Sequence, residues 1–287
     1  MAEITIRELN VYPVKSLRGI SVRQWPLQRT GLAWDRHWML VMPNGRFVTQ
    51  RQLPSMALID TAIENEQLLL SANGKGQVSL PLHATAGDIF NATVWRDQCE
   101  VIAASEEASA WLTDVLNAPQ PLKLVRMAPG SEREQSCADR FGSHQTYFAD
   151  AAPLLVANQA SLDALNQTLQ ERQLGTVDMR RFRPNIVVEG LNAFEEQRPQ
   201  EWSGGDATIQ LVDHCERCIM TTIDPDSAEK HPDMQPYKTL AEINPMPDNP
   251  RAAAFGVNAV VTRMTGDASP SEHSMLAVGD RLSVSGR

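Results

Sequence analysis

Short strand-like runs recur along most of this chain, each cut off by turn residues, and that punctuation narrows the fold before any motif is considered. Residues 4–12 carry apolar side chains at Ile4 and Ile6, slip in period before Val11 and Tyr12, and end at Pro13. Residues 38–42 form an almost continuous apolar run bounded by Pro43-Asn44-Gly45. Residues 46–49 then resume as a strand, so Asn44-Gly45 reads as a hairpin turn. Further runs fall at 68–70, 77–80, 92–95 and 100–102, and in the second half at 186–188, 208–212, 219–223 and 259–262. The chain closes with 278–284, where a Gly279-Asp280 turn leads into a final strand. Many short strands with turns between them predict a barrel or sandwich rather than a doubly wound sheet.

Two helices interrupt the pattern. Ser105 supplies an N-cap hydroxyl ahead of Glu106 and Glu107, and Ala108, Trp111, Leu112 and Val115 fall on one face. A second helix is expected over 161–169, with Leu162, Leu165 and Leu169 aligned. Residues 117–121, with two prolines, read as a hinge, and the polar stretch 130–142 as an exposed connection.

The 287 residues leave room for one large or two modest domains. No stretch approaches the roughly 20 apolar residues of a membrane span. The N-terminal residues go straight into an alternating pattern without the marks of a secretory signal, so the cytoplasm is the expected compartment. A net charge of −9 argues against a nucleic-acid partner, though it leaves room for a local cationic pocket. Four cysteines, Cys99, Cys137, Cys215 and Cys218, are too few for a disulfide framework and are expected as thiols.

The densest chemical signal is 213–222, Asp-His-Cys-Glu-Arg-Cys-Ile-Met-Thr-Thr, between two apparent strands. A Cys-x-x-Cys pair admits half of a zinc site, a redox dithiol, or a loop in which one thiol works alone. Zinc needs two more ligands, and only His214 and His231 are near, at irregular spacing. A redox dithiol expects a helix N-terminus, whereas residues 219–223 prefer a strand. Cationic segments add to the pattern. Lys15 and Ser16 lie in a loop before Gly19, Arg36 sits beside Asp35, and Arg180, Arg181 and Arg183 precede a buried-looking strand. An arginine at the mouth of an apolar strand suits bidentate phosphate recognition, and together these segments suggest an anionic ligand.

Read in order, several segments resemble the MOSC family, in its longer branch with an N-terminal β-barrel domain, which includes bacterial YcbX-like proteins and the amidoxime-reducing components. They are Tyr12-Pro13-Val14-Lys15-Ser16, Asp35-Arg36-His37-Trp38, Thr49-Gln50-Arg51-Gln52, Asp150-Ala151-Ala152-Pro153, Arg183-Pro184-Asn185-Ile186-Val187, and the run from Cys215-Glu216-Arg217-Cys218 to Asp224-Pro225. Phe255-Gly256-Val257-Asn258 and Val278-Gly279-Asp280 also fit. The resemblance implies a mainly β (α+β) fold of two β-barrel-like domains with a few helices, divided as 1–125 and 126–287, with a cofactor between them. It implies a molybdenum cofactor, molybdopterin, ligated by the Cys218 thiolate, with Cys215 unused. Lys15, Ser16, Arg36, Arg183 and Asn185 match positions that hold the pyranopterin and its phosphate. Asp150, Ala151 and Ala152 match a loop close to the cofactor, and Asn258 a position near the metal. A soft thiolate suits a molybdenum centre, and the metal's charge keeps it deprotonated.

The function implied is reduction of N-hydroxylated compounds: hydroxylamines, amidoximes or N-hydroxylated base analogues. Asp150 is a candidate for the acid. No cysteine follows Cys218 to hold an iron–sulfur cluster, so electrons are expected from a separate ferredoxin- or flavoprotein-like donor. The competing readings are a sulfur carrier, with a persulfide on Cys218, and a carrier of the molybdenum cofactor. No nucleic-acid or membrane partner is expected.

Overall fold

A computed structural model describes residues 2–136, 138–264 and 274–286. Cys137, expected as an isolated thiol, lies outside the described residues. The mainly β architecture implied by the turn punctuation is present. Its centre is a closed barrel of seven strands, running Ile186–Glu189, Leu154–Asn158, Ala253–Met264, Ala207–Arg217, Gln200–Gly204, Arg281–Gly286 and Ala2–Val11. Ala2–Val11 pairs back onto Ile186–Glu189 to close the ring. Only Leu154–Asn158 and Ile186–Glu189 run parallel, and the helix Gln159–Glu171 lies in the connection between them. A parallel neighbour needs such a crossover, because a tight turn reverses the chain.

The barrel interior is filled by Ile4, Ile6, Trp202, Ile209, Leu211, Val257, Ala259, Val261 and Leu282. Ala207–Arg217 is buried over its first six residues, and Ala253–Met264 over its first nine. The outer face of Ala253–Met264 is covered: Ala253 and Phe255 lie under Leu162, Leu165 and Leu169 of the helix and under Leu240 of Tyr237–Ile243. Each such leucine or phenylalanine removed from water contributes about 1.5–3 kcal/mol. Gly256, in this strand at φ +72°, is required sterically: a Cβ there would fall 2.6 Å from the Val156 carbonyl oxygen.

The remaining strands come mainly from the first half. Trp38–Val41, Lys123–Met127, Asp97–Ser105 and Ala86–Val94 form a four-stranded sheet, and Asp60–Glu64, Gln67–Ser71 and Gln77–Pro81 an antiparallel meander. The helix Glu106–Val115 starts as expected, with Ser105 accepting from the Ala108 N–H. Its Ala108 and Leu112 join Trp38, Leu40, Leu68 and Leu70 in a second core. The two halves interlock, since Ser274–Ala277 pairs with Gln24–Gln28.

Two expectations are corrected. Residues 46–49 make isolated bridges from Arg46 and Phe47 instead of a strand. Residues 219–223, expected as a strand, hold the 3-10 turn Ile219–Thr222. β-Branched residues favour strands, but here the Thr221 and Thr222 hydroxyls donate to the Cys218 and Ile219 carbonyls at 2.9 and 2.7 Å. Those local bonds, with Thr221 N–H on Cys218 O at 3.1 Å, close the turn.

Candidate functional site

The barrel opens into a cleft of about 950 Å³ where it meets the first-half loops. Eight lysine or arginine residues line it against five acidic ones, on a chain whose net charge is −9. That inversion favours an anionic ligand. The structure brings every residue implied for the site to this one cleft: Lys15, Ser16, Arg36, Asp150, Ala151, Ala152, Arg183, Asn185, Cys218 and Asn258.

The first-half side is built by stitching two loops together. Lys15 N–H bonds Trp38 O at 2.7 Å, Trp38 N–H bonds Pro13 O at 3.1 Å, and Arg36 N–H bonds Tyr12 O at 2.8 Å. The Tyr12 N–H donates to the buried Asp35 carboxylate at 2.8 Å. These bonds hold Ser16 and Arg36 in left-handed backbone at φ 69° and 50°, and Arg183 adopts φ 57° on the far side. Left-handed conformations cost a non-glycine residue about 1–2 kcal/mol and persist where surrounding structure fixes them. Here they aim two guanidinium groups at one place. Arg36 and Arg183 lie 4.3 and 4.2 Å from the Tyr12 ring. Burial pushes the Tyr12 hydroxyl up to about 12 and draws Arg183 down to about 10, so both keep their protons at neutral pH.

Arg36 is further fixed by Asp35 at 2.5 Å and by the Asn185 side-chain oxygen at 3.0 Å. Asn185 binds the Asn10 carbonyl and the Leu155 N–H through its own amide, which locks it between two barrel strands. Arg183 spends Nη1 on Leu17 O at 2.7 Å, whereas its Nη2 is buried without a hydrogen-bond partner among the described residues. A buried donor of this kind is costly unless a ligand meets it.

Cys218 follows the strand Ala207–Arg217, whose pairing with Ala253–Met264 shifts register at Leu211/Asp213 and again at His214/Glu216. Such bulges bend a strand end and re-aim its side chains. Cys215 and Cys218 both reach the cleft, each with a guanidinium. Arg51 Nη2 donates to Cys218 Sγ at 3.1 Å, and Arg217 Nη1 to Cys215 Sγ at 2.9 Å. Burial raises the Cys215 thiol above its ordinary value despite Arg217.

Lys15 Nζ meets Phe148 O at 2.7 Å and forms a short ion pair with Asp150 Oδ1. Burial lowers the Lys15 ammonium, and Asp150 opposes it. Desolvation acts to raise the Asp150 carboxyl, but Lys15 and the Trp95 N–H outweigh it and hold it well below the usual carboxylate range. Asp150 is thus a carboxylate at neutral pH, an acceptor that positions Lys15.

Sequence reasoning passed over Arg51, Trp95 and Arg133. Arg51 stood inside a quoted motif without a role. Arg133 lay in the stretch 130–142 expected as an exposed connection, yet it is 5% exposed and donates to Asp97 and to the Tyr147 and Ala149 carbonyls. Among the described residues no group of three His, Cys, Asp or Glu side chains gathers as a metal site, so the zinc reading has no cage there.

Residues 3–119 match the MOSC N-terminal beta barrel domain and residues 143–283 the MOSC domain. The chain is 32% identical to human "Mitochondrial amidoxime-reducing component 1" over 84% of its own length and 73% of that protein's. It is 33% identical to the mouse protein of the same name, over 78% of this chain and 66% of that one. It is also 28% identical to a rice "Molybdenum cofactor sulfurase" over 84% of this chain, which spans only 31% of that protein.

Proposed function

The chain belongs to the MOSC family, and from that premise we propose that it is a molybdenum-cofactor-dependent oxidoreductase that reduces N-hydroxylated compounds. The observation that carries the reading is the meeting of a guanidinium-bonded cysteine, Cys218, with a ring of cationic groups in one cleft. The residues fit the group. A single soft sulfur suits a metal that brings its other ligands with it. The orphaned Nη2 of Arg183 and the Lys15 and Arg36 charges suit a phosphate, with Ser16 and Asn185 as neutral partners. Ala151, Ala152 and Asn258 line the same space.

When bound, the cofactor supplies the two-electron redox chemistry. The N–O bond breaks, two electrons and two protons are consumed, and the oxygen leaves as water. The chain's part is to hold the cofactor, orient the substrate and keep a proton at Lys15 Nζ, with Asp150 fixing that ammonium. Electrons come from a separate ferredoxin- or flavoprotein-like donor. Cys99, Cys215 and Cys218 are free thiols, which favours a reducing compartment such as the cytoplasm. No helix among the described residues is long and apolar enough to cross a membrane.

Protein made in a host that produces the cofactor, reduced with dithionite, is expected to convert hydroxylamine to ammonia and benzamidoxime to benzamidine. Stoichiometric molybdenum without either conversion would overturn the reading. Asp150→Asn with full turnover would remove that carboxylate from the reaction. The likeness to the rice sulfurase favours a second reading, sulfur carriage on Cys218. A persulfide on Cys218 by mass spectrometry, with no molybdenum bound, would establish it. Transfer of bound cofactor into an apo-enzyme, without reduction, would point to a cofactor carrier.

A further inference from the structure

The cleft carries a large aromatic side chain that stays open to solvent. Trp95 is 44% exposed and stands at φ 57° on the turn between Ala86–Val94 and Asp97–Ser105. An indole this open ordinarily samples several rotamers, but three contacts restrain this one. Its Nε1 donates to Asp150 Oδ1 at 3.0 Å, the Arg51 guanidinium lies 4.6 Å from its ring, and Phe47 meets it edge-on at 5.3 Å. Arg51 is also the donor to Cys218 Sγ, so one guanidinium separates the ring from the thiol. Trp95 lines the cleft beside Lys15 and Cys218. Fixed at its polar end and open on the remaining surface, the ring is a ready stacking platform.

We infer, resting on the reductase reading, that Trp95 is a specificity-determining residue whose ring stacks the planar, delocalised part of an N-hydroxylated substrate. Aromatic amidoximes and N-hydroxylated nucleobases carry such a group next to the N–O bond, and hydroxylamine does not. Stacking of a planar ring on an aromatic side chain is worth enough to change affinity about tenfold.

The test compares wild type, Trp95→Ala and Trp95→Phe in cofactor-loaded protein. The ratio of kcat/KM for benzamidoxime to that for hydroxylamine is expected to fall about tenfold in Trp95→Ala, through KM, and to recover in Trp95→Phe. Phe keeps a ring face but not the N–H bonded to Asp150, so its recovery separates stacking from anchoring. Calorimetric binding of benzamidoxime to the oxidised protein is expected to weaken by the same factor in Trp95→Ala and to hold in Trp95→Phe. An unchanged ratio with unchanged binding, Trp95→Phe as impaired as Trp95→Ala, or no binding by the wild type would each overturn the assignment. Turnover absent with both compounds in the wild type would sink the reductase reading alone, because the binding comparison still decides Trp95.

Discussion

On the barrel side of the cleft, Asn185 and Asn258 sit on or beside strands that are hydrogen-bonded to neighbours, whereas on the opposite side Ser16, Arg36 and Trp95 hang on left-handed backbone between strands. Sheet register places the first group, and a one-residue slip would turn each of those side chains to the other face. The second group is placed by turns that cost energy and are held by side-chain bonds such as Asp35 to Tyr12. A change at the half-buried Cys218 on the barrel side should therefore remove a ligand contact and leave stability nearly intact. A change on the loop side should disturb both.

The largest effect is expected at Cys218. Cys218→Ala should take molybdenum from near-stoichiometric to background by elemental analysis, with little change in Tm, since the thiol is only partly buried. Retained metal would mean the ligand has been misassigned. Arg36→Ala comes next and should do what Cys218→Ala does not. It leaves Asp35, whose side chain is 2% exposed, without its guanidinium. Stripping one partner from a buried pair costs about 3–5 kcal/mol, which urea unfolding would register as a lowered midpoint. An unchanged midpoint would break the contrast between the two sides. Ser16→Gly sharpens it from the other direction: relief of φ 69° should raise stability by up to about 1 kcal/mol while cofactor retention falls. The smallest effect is expected at Cys215. Cys215→Ala should keep its molybdenum, because Arg217 still donates to the Phe182 carbonyl at 2.8 Å.

The barrel side was also the more legible in sequence. Its strands announce themselves by period and turn residues, and the position of Cys218 follows from the strand that precedes it. The turn after Cys218 was not legible, because Ile, Thr and Ile favour a strand until the hydroxyls of Thr221 and Thr222 bond back to the chain. Lys15, Ser16 and Arg36 were visible as a family pattern, but nothing local reveals that two of them need positive φ. Arg51 and Arg133 escaped for a further reason. Each acts on partners brought near only by folding: Cys218 lies 167 residues from Arg51, and the Arg133 stretch has no periodicity to mark it as buried.

The seam between the first and last strands has a consequence for how the molecule comes into being. Ala2, Glu3, Ile4 and Thr5 pair with Val284, Ser283, Leu282 and Arg281. During synthesis the edge of residues 2–5 that faces residues 281–284 therefore stays unpaired while the intervening residues are made, roughly 15–60 s at ordinary elongation rates of about 5–20 residues per second. Until then the ring is open at that seam, while the other edge of the same strand can already hold Ile186–Glu189, and with it Asn185 against Asn10. Closure of the seven-strand ring is thus a late step, whereas the side of the cleft that carries Asn185 can form before it.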